Sequence, residues 1–236
     1  MSHPEPLRPT LLLTRPAERA EAFAAAFAAR HPDLPCLIAP VMAIRPCAFD
    51  LPDGADLVLT SQSAIPALPA RARGRVAWCV GAATAAAARA RGLIVAGEAP
   101  DAARLAALLR ARRPAAPLLH LAGEHRAGDL AGDLARSGLR AGVVTAYRQE
   151  ALPLSPAAEA LLAGEGPVLL PLFSPRSARL VARATIRAPL RIAAMSPAVA
   201  AAWSGRPPAD LRIAAHPTSE AMLHALSELI ETGPAA

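Results

Sequence analysis

GVVTAYRQE, residues 142–150, is the stretch on which the fold turns. It begins as a β-rich run through Val143, Val144 and Thr145, carries the chain's single tyrosine at 147, and becomes abruptly polar at Arg148, Gln149 and Glu150. The segments before and after it read as two versions of one pattern. Thr60-Ser61-Gln62-Ser63-Ala64 is echoed by Ser174-Pro175-Arg176-Ser177-Ala178, Val80-Gly81 and Ala85-Ala86 by Met195-Ser196 and Ala200-Ala201, and Ala99–Leu105 by Pro217–Leu223. The offsets are 114, 115 and 118, nearly constant over three units. Residues 142–150 therefore read as the hinge between two similar lobes, with Tyr147 expected to face the cleft between them.

Each lobe alternates short apolar strands with helical runs, the pattern of a parallel α/β sheet. The clearest strands are Thr10–Thr14, Asp56–Thr60, Arg75–Val80, Pro117–Ala122, Pro167–Phe173, Leu190–Ala194 and Leu211–Ala215. They are almost continuously apolar, which fits sheets covered by helices on both faces. Leu37–Ile44 reads as one further strand with Pro40 at an edge or bend. Leu93–Ala96 and Gly142–Tyr147 complete the set. Ala-rich runs between them read as helices, since alanine has the best helix propensity. At 236 residues the chain is long enough for two lobes of ordinary domain size.

The formal charge is +6, and all 25 basic residues are arginines. A base composition favouring Arg and Ala codons accounts for this, and so does a polyanionic partner held by guanidinium forks. Nucleic acid is the weaker expectation, because the arginines are dispersed and two Trp, one Tyr and four Phe build no stacking platform. Cys36, Cys47 and Cys79 show no CxxC spacing and read as reduced thiols. The N-terminal stretch has no long apolar core of a secretory signal, and no apolar run approaches the roughly 18 residues of a membrane span. The expected location is the cytoplasm.

In open parallel sheets ligands bind beyond the carboxyl ends of the strands. Here those ends carry hydroxyl residues: Thr14, Thr60, Ser61, Ser63, Thr84, Ser174, Ser177, Ser196 and Thr218. Each one is suited to N-capping a helix, and together they line helix N-termini, which attract anions. Familiar catalytic constellations are missing. Gly123–Gly128 has phosphate-loop glycine spacing but continues as Asp129-Leu130, no GxGxxG follows the first strand, and no serine lies in a GxSxG elbow. His120 reads as a strand residue and His125 as a loop residue, without partners at metal-ligand spacing. No metal site is expected. Tyr147 is either a packed strand-end residue or a phenol that donates a proton or hydrogen bond to a leaving oxygen.

These segments, taken in order, resemble the uroporphyrinogen-III synthase family: Leu11–Pro16, Leu57–Ile65, Val80–Gly92, Leu118–Leu130, Val143–Arg148, Leu172–Ala178 and His216–Leu223. The resemblance implies an α/β fold of two flavodoxin-like parallel-sheet lobes joined by a two-stranded connector. Residues 1–39 with 151–236 would form one lobe, 40–46 with 142–150 the connector, and 47–141 the other lobe. It implies a cofactor-free lyase that closes the linear tetrapyrrole hydroxymethylbilane into uroporphyrinogen III, inverting the last ring and losing water. Tyr147 would be the donor at the departing hydroxyl. Arg15, Ser61, Thr84, Ser174 and Thr218 match family positions for the substrate, which bears eight carboxylates; Ser196 joins them from the strand-end set. Ser63 stands where the family often has asparagine. The expected partner is this small molecule alone, bound by a monomer, with neither nucleic acid nor membrane involved. The rival reading is a non-catalytic two-lobe binder of a small polyanionic effector. A flavin module is disfavoured by the few aromatics.

Overall fold

The three leucines of TLLL alternate between opposite faces of a strand, yet all three are fully buried. That is possible only where helices cover both faces of the sheet. In the computed structural model, which describes residues 8–126 and 128–232 without the Glu18 side chain, this strand is β1 (Thr10–Leu13). The first seven residues, on which part of the N-terminal reading rests, and Ala127 in the Gly123–Gly128 turn lie outside the described residues.

The chain divides into two compact units, residues 1–43 with 151–236 and residues 44–150. In the first unit β1 pairs in parallel with β2 (Cys36–Ile38) on one side and β9 (Val168–Leu172) on the other. Beyond β9 come β10 (Leu190–Ala194) and β11 (Asp210–Ile213), giving the order β11-β10-β9-β1-β2. Leu11 and Leu13 pack on Phe23 and Phe27 of α1 (Ala17–Ala28) and on Met222 and Leu226 of α8 (Ser219–Glu231). Leu12, Leu170 and Ile192 face the other way. They meet Leu162 of α5 (Pro156–Ala163), Val181 of α6 (Pro175–Val181) and Val199 of α7 (Pro197–Ala201).

The second sheet, formed by the second unit except for the ends of β3 and β8, comprises β3 (Met42–Pro46), β4 (Asp56–Leu59), β5 (Val76–Val80), β6 (Ile94–Ala99), β7 (Leu118–Gly123) and β8 (Ala141–Ala151), in the order β3-β8-β7-β4-β5-β6. Pairings from β6 through to β8 are parallel. One face packs Leu57, Leu59, Leu119 and Leu121 on Ala85 and Ala88 of α2 (Ala82–Ala90) and on a 3-10 helix, Gln62–Ala67. The other packs Val58, Trp78 and Leu118 on α3 (Ala102–Arg112) and α4 (Leu130–Arg136).

The duplication read from the offsets has a structural counterpart. If β4, β5 and β6 are set against β9, β10 and β11, and β7 and β8 against β1 and β2, the two five-stranded parallel orders coincide. All three echoed segments follow equivalent strands. The units differ in where the chain enters, because one supplies the β1–β2 pair first and the other supplies the β7–β8 pair last.

Leu37–Ile44 is not one strand. The chain leaves the first sheet after Ile38 and joins the second at Met42. Pro40 has no N–H to continue a ladder, and the flanking Ala39 and Val41 amides instead donate to Leu13 and Thr14 carbonyls at 2.9 and 3.1 Å. The 142–150 stretch is longer than its composition indicates. As β8 it begins at Ala141 and pairs with β7 as far as Tyr147, so most of it is a sheet strand. Its far edge meets β3: Cys47 N–H donates to the Ala146 carbonyl at 2.8 Å and Leu152 N–H to that of Val41 at 2.9 Å, an antiparallel progression.

Candidate functional site

From β4 the second unit's chain winds outward through β5 and β6, then returns to place β7 on the opposite side of β4. The carboxyl ends of β4 and β7 therefore flank a topological switch point, where connections diverge and leave a crevice. A cavity of about 490 Å³ lies there. Its walls include Thr60 after β4, His120 and Gly123 of β7, Ala102, Ala106 and Arg110 along one face of α3, His125 and Arg126 of the following loop, and Tyr147. Small alanines at successive turns of α3 keep the space open.

Tyr147 is 8% exposed, and the phenol end of its ring lies close against Gly123. A Cβ at 123 would stand 2.7 Å from the ring Cζ and 2.9 Å from the phenol oxygen, so only glycine admits the ring. The β7–β8 ladder shifts register between Ala122 and Gly123, placing Gly123 opposite Tyr147. Such irregularities re-aim side chains at the rims of sheets. The Tyr147 carbonyl is tied by the Glu124 N–H at 3.0 Å, which anchors the backbone beneath the phenol.

His120 is 6% exposed and shares a hydrogen bond of 3.1 Å between Nε2 and Thr60 Oγ1. Burial, and then the nearby Arg126, push its pKa down to about 4, so the imidazole is neutral at neutral pH.

In the first unit the same divergence falls between β1 and β9. Arg15, just after β1, is half-buried with its guanidinium carbon 3.9 Å from the Phe173 ring centroid and 5.9 Å from that of Phe23. The two rings meet edge to face at 5.1 Å. Burial, and then Arg19, lower the Arg15 pKa to about 10, which leaves it charged. Its Nε is buried without a hydrogen-bond partner among the described residues. A partly desolvated cation stacked on aromatics is well prepared to meet an anion.

The hydroxyls predicted for the site are mostly N-caps. Ser61 accepts from Ser63 N–H at 3.2 Å, Ser174 from Ser177 at 3.1 Å, Ser196 from Val199 at 3.4 Å and Thr218 from Ala221 at 3.2 Å. A cap uses one lone pair of the oxygen, and a hydroxyl also has a proton to donate. Ser63 and Thr84 are buried. Ser61, Ser63 and Thr84 lie at the ends of β4 and β5 and do not line the Tyr147 cavity. Arg15 and Ser174 sit at adjacent strand ends, with Ser196 and Thr218 following β10 and β11. A larger cavity in the first unit, about 610 Å³ and lined by Leu152, Leu154, Leu180, Arg183 and other residues, holds none of the predicted positions.

Comparison with known proteins adds a second line of observation. The family model described as uroporphyrinogen-III synthase HemD matches residues 23–224, well over half of the chain. The chain belongs to the uroporphyrinogen-III synthase family. The structure of uroporphyrinogen-III synthetase from Helicobacter pylori is similar with a TM-score of 0.67 at 13% identity, covering 94% of this chain and 100% of that one. A mutant uroporphyrinogen III synthase from the extremely thermophilic bacterium Thermus thermophilus matches with a TM-score of 0.51 at 18% identity, covering 94% and 99%. At these identities the likeness speaks for the fold. Among curated proteins none matches by sequence.

Membership in the uroporphyrinogen-III synthase family makes the chain a lyase of tetrapyrrole biosynthesis. No helix among the described residues is long and apolar enough to cross a membrane. The positive charge of this uroporphyrinogen-III synthase homologue is also less available than the count of arginines implies. Arg71, Arg75, Arg91, Arg140, Arg191 and Arg206 donate to backbone carbonyls, where they hold loops and chain ends in place. Sequence reasoning missed His120, Gly123 and Arg110. One signal was present for His120: a polar residue at the centre of LLHLA, in a strand whose every residue is buried.

Proposed function

We propose that the chain converts hydroxymethylbilane to uroporphyrinogen III, with Tyr147 as the donor that assists departure of the terminal hydroxyl as water. The observation that carries this reading is the seating of Tyr147 at the switch point of the second unit, in a chain of the uroporphyrinogen-III synthase family. Loss of the hydroxyl creates an electrophilic azafulvene, and a phenol hydrogen bond to the leaving oxygen eases that step. The pyrrole supplies most of the remaining reactivity. Unassisted closure gives the uninverted isomer, so the protein's task is to hold a folded chain in which attack occurs at the substituted carbon of the last ring. That ring's proton is then released to solvent, and the balance is one substrate to one product and one water.

Each unit, taken by itself, presents groups suited to carboxylates at its strand ends. Arg15, Ser174, Ser196 and Thr218 belong to the first, and Ser61, Ser63 and Thr84 to the second. The start of α2 supports this assignment. Its N-cap is Gly81, which has no side chain to offer; Thr84 N–H already donates to the Gly81 carbonyl at 3.1 Å, and the Ala82 and Ala83 amides, which precede that first bond, are placed to meet another acceptor. The reading includes no cofactor, a monomeric cytoplasmic enzyme, lobes of residues 1–39 with 151–236 and of 47–141, and connector strands at 40–46 and 142–150.

The test is product analysis. Purified protein is given hydroxymethylbilane, and the porphyrinogens are oxidised and separated as type I and type III isomers. An excess of isomer III is expected, falling by about tenfold or more in Tyr147→Phe, the range for loss of one acid–base group. Isomer I alone from folded protein would overturn the assignment.

A further inference from the structure

Buried His120 and half-buried Thr60 form a polar pair at a position where packing needs none. Along β7, Leu118 and His120 face α3 and α4, and an apolar side chain at 120 would fill the space beside Ala106 without desolvating an imidazole. The pair forms the floor of the 490 Å³ cavity, within the roughly 300–1,000 Å³ of small-molecule sites. The charges around it are asymmetric. Asp129 and Asp133 reach the cavity, but Asp129 caps α4 through Gly132 N–H at 3.0 Å and Asp133 is ion-paired with Arg136. Arg110 gives its Nε to Ser137 Oγ at 3.3 Å, and its guanidinium has further N–H donors. Arg126 and His125 line the same space.

We propose that this cavity is a pocket for one carboxylate-bearing arm of the substrate, held by Arg110 and Arg126, with the His120–Thr60 pair hydrogen-bonding at its floor beside Tyr147. The proposal rests on the reading that the substrate is a tetrapyrrole carrying acetate and propionate arms. A guanidinium takes such a carboxylate in a charge-assisted, bidentate bond. The neutral imidazole and the hydroxyl bind it as dipoles and add no competing charge. Seating one arm here fixes one ring of a flexible bilane relative to the phenol, which is the ordering that selects the inverted product.

The experiment follows the ring resonances of His120 by NMR in the full chain, labelled with ¹⁵N-histidine and assigned by comparison with His120→Gln. The probe is a monopyrrole carrying one acetate and one propionate, with its dimethyl ester as the control. The His120 signals are expected to move saturably with the diacid and to stay in place with the diester. Arg110→Ala, at an exposed position, is expected to weaken binding about tenfold and to raise KM for hydroxymethylbilane more than it lowers kcat. Signals that do not move, that move equally with the diester, or that titrate identically in Arg110→Ala and Arg126→Ala would overturn the pocket. The isomer assay on the same protein separates this from the functional reading. Isomer III made by a protein whose His120 ignores the diacid leaves the function standing without the pocket, and a saturable shift without isomer III does the reverse.

Discussion

Acid should destabilise the second unit through His120, by an amount that follows from its burial. An imidazole in the unfolded chain titrates near 6.5, whereas in the fold burial and then Arg126 lower the value to about 4. The unfolded state therefore binds the proton first. Above pH 6.5 both states are neutral and the group contributes nothing; stability then falls as the pH drops toward 4 and levels off below it. The full shift corresponds to about 3 kcal/mol, of which about 2 kcal/mol is lost between pH 7 and pH 5. His120→Gln is the comparison, because the longer amide reaches toward Thr60 from the Nε2 position and carries no charge at any of these pH values. The assay is urea unfolding followed by fluorescence of Trp78, which lies in β5, in a Trp203→Phe background that silences the first unit's tryptophan. Asp129, His125 and the other titrating groups are common to both proteins and drop out of the difference. The stability difference should shift in favour of the glutamine variant by about 2 kcal/mol on acidification from pH 7 to 5. A difference that stays flat over that range would refute the claim that His120 is held dry and neutral.

Gly123→Ala should displace the Tyr147 ring from its seat, lowering isomer III formation by about tenfold or more and costing about 1–3 kcal/mol in unfolding. In a Tyr147→Phe background the same substitution should cost far less activity; equal losses in both backgrounds would show that it acts elsewhere. Gly81→Ala meets no atom within 4 Å but must adopt φ +79°, so a loss of about 1–3 kcal/mol from backbone strain alone is expected in urea unfolding. A change under about 0.5 kcal/mol would refute that reading of the α2 start.

Much of the architecture was legible because it is local. Apolar strand runs, the caps Ser174, Ser196 and Thr218, and the near-constant spacing of three echoed units each depend on residues close in the chain. Leu37–Ile44 misled because it is apolar throughout, and a lone proline is compatible with an edge or a bend as well as with a break. Only hydrogen bonds from Ala39 and Val41 to the distant β1 end and Thr14 divide it between sheets. Tyr147 was identifiable as the lone tyrosine of a polar strand end, but nothing near it in sequence indicated that Gly123, 24 positions earlier, is the surface on which its ring rests.

The sequence by itself determined that the chain is a doubled set of α/β units with hydroxyl residues at its strand ends and one singular phenol. These follow from periodicity, propensity and composition, which act over a few residues. Tertiary structure alone decided that β1 sits beside β9 and β7 beside β4, since equivalent sheets can be entered at different points by the chain. That choice creates the two switch points, brings Arg15 onto Phe173, and joins Thr60 to His120 across 60 residues. Contacts at such separations depend on which strands become neighbours, and strand order is settled by packing the whole sheet between its helices.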